Sequence, residues 1–233
     1  MKAAILSIQV GRPRQFATEE SVGDSSKPWC SAIVKQTVTG KVFVDFTNIN
    51  GDEQADLKHH GGADKAVLGY AAGHYPAWNS DLPEIEFPYG GFGENLTLSG
   101  IDESTCCIGD VYAIGECRLQ ISQPRQPCWK LSRRWNIPNL AVLVQKTGRT
   151  GWYFRVLTPG AIESGMPLTL VDRPFPQFTV SRASDIMHAK LRDRTLDLEL
   201  AACPALSASW KTTLIARATQ GQEKDSRPRL FGG

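Results

Sequence analysis

Ser122-Gln123-Pro124-Arg125-Gln126-Pro127-Cys128-Trp129-Lys130-Leu131 sets two prolines just ahead of a lone cysteine. It follows residues 118–122, which read as a strand. Pro124 and Pro127 lack backbone donors and fix φ, so the strand must end in a stiff loop. Such a loop presents Arg125, Cys128 and Lys130 together. Neighbouring cations favour the thiolate, the form that ligates soft metals or attacks electrophiles. The ordinary role of a lone cysteine, a small buried hydrophobe, suits this setting poorly.

Outward from this loop, short apolar runs alternate with Gly, Pro, Asn and Asp up to about residue 173. Strands are expected at 4–9, 32–37, 41–46, 65–70, 95–98, 111–114, 118–122, 152–158 and 168–171. Many are too short to stand alone and must close around a shared core, which makes the fold mainly β and barrel-like. Residues 138–147 suit one short amphipathic helix, through Leu140, Leu143 and Val144, ended by Gly148. After Pro174-Phe175-Pro176, residues 181–191, 193–202 and 207–219 read as three short helices with Ser181, Asp193 and Ser207 as N-caps. The expected organisation is a barrel over 1–176, a three-helix segment over 177–220 docked on the barrel or on a second subunit, and a flexible tail over 221–233.

The chain has 233 residues, with 26 basic and 24 acidic side chains and a formal charge of +2. That balance gives no ground for nucleic-acid or membrane-surface binding, so any basic site must be local. No apolar run approaches the roughly 20 residues needed to cross a bilayer, and a cytoplasmic location is expected. Six cysteines without a CxxC pair argue against a zinc ribbon, an iron–sulfur cluster or a disulfide framework. Cys106, Cys107, Cys117 and Cys203 are assigned to packing. With neither a Walker loop nor a GxGxxG between strand and helix, the chain should carry no nicotinamide or flavin of its own.

Two further clusters stand out. His59-His60-Gly61-Gly62-Ala63-Asp64-Lys65 combines glycines that let backbone approach an anion with donors at His60 and Lys65; a polar hairpin turn is the alternative. Gly90-Gly91-Phe92-Gly93-Glu94-Asn95 precedes a strand and is either a ligand-binding loop or a bulged barrel corner. Arg155 interrupts the apolar run 152–156. Burying such a cation is costly unless it meets an anion, either a cofactor phosphate or an internal carboxylate.

Taken in order, GDEQAD, HGGADKAV, GFGENLT, IGDVY, QPRQPCWKL and GWYFRVLTPG resemble the MOSC domain, and specifically its YiiM-like branch, over roughly residues 34–171. The trailing helices are similar to the three-helix segment of that branch. The resemblance implies a MOSC-type β-barrel that binds the molybdenum–molybdopterin cofactor (Moco), with Cys128 as the protein ligand to molybdenum. It places His60 and Asn95 beside the metal as orienting or proton-carrying groups. Gly61, Gly62, Lys65, Gly93, Glu94, Arg125, Lys130 and Arg155 are placed around the cofactor. The activity implied is two-electron reduction of small N-hydroxylated compounds such as N-hydroxylaminopurines, with electrons from a separate flavin or iron–sulfur reductase. A homodimer is an open expectation.

Two other classes stay open on the residues alone. Cys128 suits a cofactor carrier or sulfur-delivery module, although no pyridoxal-phosphate domain is fused here. Arg182, Lys190, Arg192 and Arg194 suit a nucleic-acid surface, for which a solvated helix face is the simpler account.

Overall fold

A computed structural model describes residues 2–16, 28–56, 61–188, 193–223 and 225–232. Twelve strands are present among them: β1 (Ala4–Val10), β2 (Arg14–Phe16), β3 (Trp29–Ser31), β4 (Gln36–Thr37), β5 (Val42–Val44), β6 (Val67–Ala71), β7 (Leu96–Ser99), β8 (Val111–Ile114), β9 (Cys117–Pro124), β10 (Trp152–Thr158), β11 (Gly160–Ile162) and β12 (Thr169–Asp172). Eight of them form one curled half-barrel sheet in the order β12-β8-β9-β10-β6-β7-β1-β4. β6 and β7 run parallel, and the other pairs in this sheet are antiparallel. β11 pairs with β5 and β2 with β3.

β10 explains why the sheet curls. Its residues 152–154 pair with β6 on one side while the whole strand pairs with β9 on the other, with register shifts after Tyr153 and Val156. Irregular registers of this kind bend a strand and increase its twist. Gly151 leads into β10 at φ 74°, and a Cβ there would lie 2.4 Å from the Gly69 carbonyl oxygen, so glycine is required.

Seven α-helices accompany the strands among the described residues: α1 (His74–Asp81), α2 (Trp129–Trp135), α3 (Leu140–Thr147), α4 (Val180–His188), α5 (Arg194–Ala201), α6 (Ala208–Gln220) and α7 (Arg227–Phe231). α1 and α2 were not foreseen. In α1 only Tyr75 and Trp78 face inward, too few apolar positions to raise a helical period over eight residues. Asp193 and Ser207 cap as expected, accepting from Thr195 and Leu196 N–H and from Trp210 N–H respectively. Ser181 does not: α4 starts one residue earlier, and Thr179 Oγ1 takes the Arg182 N–H at 3.0 Å. Lys190 and Arg192 lie outside the described residues.

The three-helix segment docks on the barrel. Val180, Ile186, Leu200, Trp210 and Leu214 belong to the same buried cluster as Ile5, Leu96, Leu119, Trp152 and Phe154. Helices of this length are marginal alone and take their stability from such packing. Backbone contacts reinforce the junction, Ser207 N–H donating to the Ser122 carbonyl at 2.9 Å. A second buried cluster joins Tyr70, Tyr75, Trp78, Phe92, Leu131, Leu140 and Val144, and so seats α1, α2 and α3 on the other side of the sheet. Within 221–233, expected as a flexible tail, Arg227–Phe231 form α7, with Leu230 buried.

Candidate functional site

β9 ends at Pro124 opposite Trp152 of β10, and the chain then turns through Arg125-Gln126-Pro127 to Cys128, which caps α2 in an extended conformation (φ −127°, ψ 164°). The Cys128 side chain takes no part in capping. It lines an open cleft together with Lys35, Asp52, Lys65, Asn95, Arg125 and Lys130. The walls come from the end of β9, the start of β10, the turn before β7 and the segments after β3 and β5.

At the floor stands a buried polar network. Asp52 is 3% exposed and accepts from Gly11 N–H at 2.7 Å, from the Lys35 ammonium, and from Asn95 Nδ2 at 2.9 Å. Asn95 Oδ1 accepts the Leu68 N–H at 3.0 Å while Asn95 N–H donates to the Leu68 carbonyl at 2.8 Å, tying the cleft to the parallel β6–β7 pair. Burial pulls the Lys35 ammonium below its ordinary pKa, opposed by the Asp52 carboxylate. Lys35 and Asp52 remain an ion pair with side chains 7% and 2% exposed.

Arg125 is 6% exposed, and its Nη1 is buried without a hydrogen-bond partner among the described residues. An unsatisfied buried guanidinium nitrogen in a cleft is costly unless an anion or acceptor meets it there. Lys130 Nζ donates to the Cys30 carbonyl at 2.9 Å. Tyr153 also lines the cleft, and burial raises its phenol pKa, so it stays protonated at neutral pH. Gly93 at φ 81° brings the loop close to Ile33, whose Cγ1 lies 2.9 Å from where a Cβ would stand.

Of the residues singled out in the sequence, Cys128, Asn95, Lys65, Gly93, Arg125 and Lys130 line this cleft. His59 and His60 lie outside the described residues. Gly61 and Gly62 lead into the short 3-10 helix Ala63–Lys65 and do not line the cleft; the Gly62 carbonyl accepts the Lys65 N–H at 2.9 Å.

Glu94 and Arg155, placed around the cofactor by the resemblance, meet partners within the chain. Glu94 is fully buried and turned into its own loop, where it accepts from Gly90 N–H at 2.7 Å, Phe92 N–H at 3.1 Å, Thr97 Oγ1 at 2.9 Å and the Tyr75 hydroxyl. These bonds shape the glycine loop from within. Arg155 does meet an anion, but an internal one: Nη2 and Nε reach Asp64 Oδ1 at 2.6 and 3.0 Å, and Nη1 reaches Gln120. Asp64 Oδ2 also accepts the Ala208 N–H at 3.0 Å, so the loop carrying Lys65 is fastened to β10 and to the start of α6.

Lys35, Asp52 and Tyr153 were missed as site residues. Asp52 and Tyr153 fall inside GDEQAD and GWYFRVLTPG, where they read as context; Lys35 sits in 32–37, read only as a strand.

Residues 56–169 match the MOSC domain and residues 178–218 the YiiM-like 3-alpha helix domain. The chain is 38% identical over 204 residues to protein YiiM of Escherichia coli (strain K12), covering 87% of this chain and 91% of that protein. It is 36% identical over 205 residues to a protein named reductase from Gibberella moniliformis, covering 87% of this chain and 35% of that longer protein. The crystal structure of YiiM from Geobacillus stearothermophilus superposes with a TM-score of 0.77 at 34% identity, covering 93% of this chain and 100% of that one. The same half-barrel, the same trailing helices and matches that span both segments make the chain a member of the MOSC-domain family, in its YiiM-like branch.

Proposed function

We propose that this protein is a molybdenum cofactor-dependent reductase of N-hydroxylated compounds, with the Cys128 sulfur as the protein ligand to the metal. The observation that carries the reading is the meeting of Cys128 with the orphaned Arg125 Nη1 in one cleft, alongside Lys65 and Lys130. A thiolate suits a soft metal, and a buried guanidinium suits the phosphate or the heteroatom-rich ring of a pterin. The donor set therefore fits the group. Membership of the MOSC family and the similarity to a protein named reductase support the redox assignment.

When bound, the molybdenum centre supplies the two-electron couple that N–O cleavage requires. The chain's own residues do the rest. Arg125, Lys65 and Lys130 neutralise and orient the anionic cofactor, and the Asp52–Asn95–Leu68 network holds the floor rigid. Lys35 at Nζ and Tyr153 at its hydroxyl line the cleft as groups that carry a proton, which suits a reaction that delivers an amine and water. His60 is assigned beside them from the resemblance alone. Electrons come from a separate flavin or iron–sulfur reductase, and the chain acts in the cytoplasm; among the described residues no helix is long and apolar enough to cross a membrane.

Purified protein loaded with the cofactor, given a chemical reductant and an N-hydroxylated purine, tests the assignment. Stoichiometric appearance of the amine supports it. Cofactor transfer to an acceptor protein without any amine formation would move the chain to the carrier class.

A further inference from the structure

α7 lies beyond both family matches, and it packs against the segment that presents Cys128. Leu230 is buried, and Gly232 comes close enough to Trp129 that a Cβ there would stand 3.5 Å from the indole. Arg229 makes the polar contacts. Its Nη1 donates to the Pro127 carbonyl and its Nη2 to Gln145 Oε1 at 2.7 Å. Gln145 belongs to α3, whose Leu140, Ala141 and Val144 are buried, so one end of this bridge is rigid.

The residues on either side of Cys128 are thus held by groups outside the loop. Pro127 is held by Arg229. Trp129 is held by Gly232 and by Trp29, with ring centroids 5.8 Å apart, and Trp29 in turn stacks on Phe16 at 4.1 Å. Pro127 has no N–H, so its carbonyl is that residue's only backbone hydrogen-bonding group. A guanidinium is well suited to that task, because its planar donors engage two acceptors at fixed angles.

We propose that Arg229 is a positioning residue: it clamps the Pro127–Cys128 peptide onto α3 and so fixes where the Cys128 sulfur stands in the cleft. The proposal rests on the reading of Cys128 as the metal ligand. Without the clamp, the Pro127 carbonyl loses a charge-assisted bond and the loop opens more often, whereas the barrel core is untouched.

The test uses the full chain as wild type, R229A, R229K and Q145A. Iodoacetamide alkylation of metal-free protein, with rates read on the high-pH plateau where the thiolate fraction no longer differs between variants, is followed site by site by peptide mass spectrometry. Cys106 and Cys117, both fully buried, report any general loosening. In R229A, Cys128 should react about tenfold faster, the factor corresponding to about 1.4 kcal/mol, with Cys106 and Cys117 unchanged. R229K should restore part of the protection, and Q145A should fall between wild type and R229A. Should R229A fail to fold, R229K and Q145A carry the same comparison. Equal Cys128 rates in all four proteins, or a parallel rise at Cys106 and Cys117, overturn the proposal. In a cofactor-producing host, R229A should also purify with several-fold less molybdenum. Wild-type protein that binds no molybdenum, combined with selective exposure of Cys128 in R229A, contradicts the proposed function while leaving the clamp standing.

Discussion

Asn95 donates its side-chain amide to Asp52 at 2.9 Å while its own Oδ1 takes the Leu68 N–H, so the one residue links the cleft's buried carboxylate to the start of strand β6. Asp52 is simultaneously the counter-ion of the buried Lys35. Removing Asp52 leaves an ammonium in the interior without a partner, a change that costs about 3–5 kcal/mol. Asp52→Ala should therefore unfold at markedly lower temperature than wild type, and Asn95→Ala should lose less, about 1–3 kcal/mol for the unmet Asp52 oxygen and Leu68 amide. Thermal melts of the two variants check this ranking. An Asp52→Ala protein as stable as Asn95→Ala would mean that Lys35 is not held as an ion pair.

Arg125 and Arg155 should separate in their effect on the cofactor. Arg125→Ala removes the cleft cation whose Nη1 has no hydrogen-bond partner among the described residues, and should lower pterin content strongly with little loss of stability. Arg155→Ala instead releases Asp64 and loosens the loop that carries Lys65, costing about 1–2 kcal/mol for the lost charged hydrogen bonds and lowering retention less. Lys65→Ala should resemble Arg125→Ala. Pterin release and denaturant unfolding on all three proteins distinguish them, and a larger pterin loss in Arg155→Ala than in Arg125→Ala would reverse the assignment.

His188 supplies a pH prediction. Burial, with the neighbouring Arg229 and Arg217 guanidinium groups, pulls its pKa down from 6.5 to about 4. The unfolded chain therefore binds more protons than the folded one between those values. The His188 contribution is complete above pH 6.5 and is lost as pH drops towards 4, at most about 3.5 kcal/mol at about 1.4 kcal/mol per pKa unit. His188→Gln should flatten that window. The melting temperature at pH 7 and at pH 5 for both proteins is the measurement, and an equal drop in the two removes His188 as the source.

The helices after Pro176 should not be separable from the barrel. They bury Val180, Ile186, Leu200, Trp210 and Leu214 in the common core, and each large apolar side chain contributes roughly 1.5–3 kcal/mol. Their sum is comparable with the 5–15 kcal/mol that holds an ordinary domain together. A chain ending at Pro176 should aggregate or lose its cooperative transition. A monodisperse product with the wild-type melting temperature on gel filtration and calorimetry contradicts the shared core.

Local signals carried what was legible in the sequence. Residues 118–122 and 152–158 fall on β9 and β10 as expected, although β9 runs on through Pro124 instead of ending before it, and Asp193 and Ser207 satisfy amides two or three residues away. The resemblance then gathered distant segments that periodicity cannot join. What stayed hidden depends on partners far along the chain. Glu94 looks like a site carboxylate until its loop closes around it, Arg155 cannot declare its anion before Asp64 arrives beside it, and α7 reads as a tail because its anchor is the Pro127 carbonyl. Lys35 and Asp52 escape for the same reason, since their pairing exists only once the segments after β3 and after β5 are brought together.

The most direct test of the central claim is molybdenum content per chain in wild type and Cys128→Ser, both made in a host that synthesises the pterin. A hydroxyl is a harder and poorly ionised donor, so it cannot replace a thiolate on a soft metal. The wild type should carry close to one molybdenum per chain and reduce an N-hydroxylated substrate. Cys128→Ser should keep its melting temperature within a few degrees, carry much less metal and show no turnover. A Cys128→Ser protein with wild-type turnover at equal molybdenum loading would show that the metal is held by some other group.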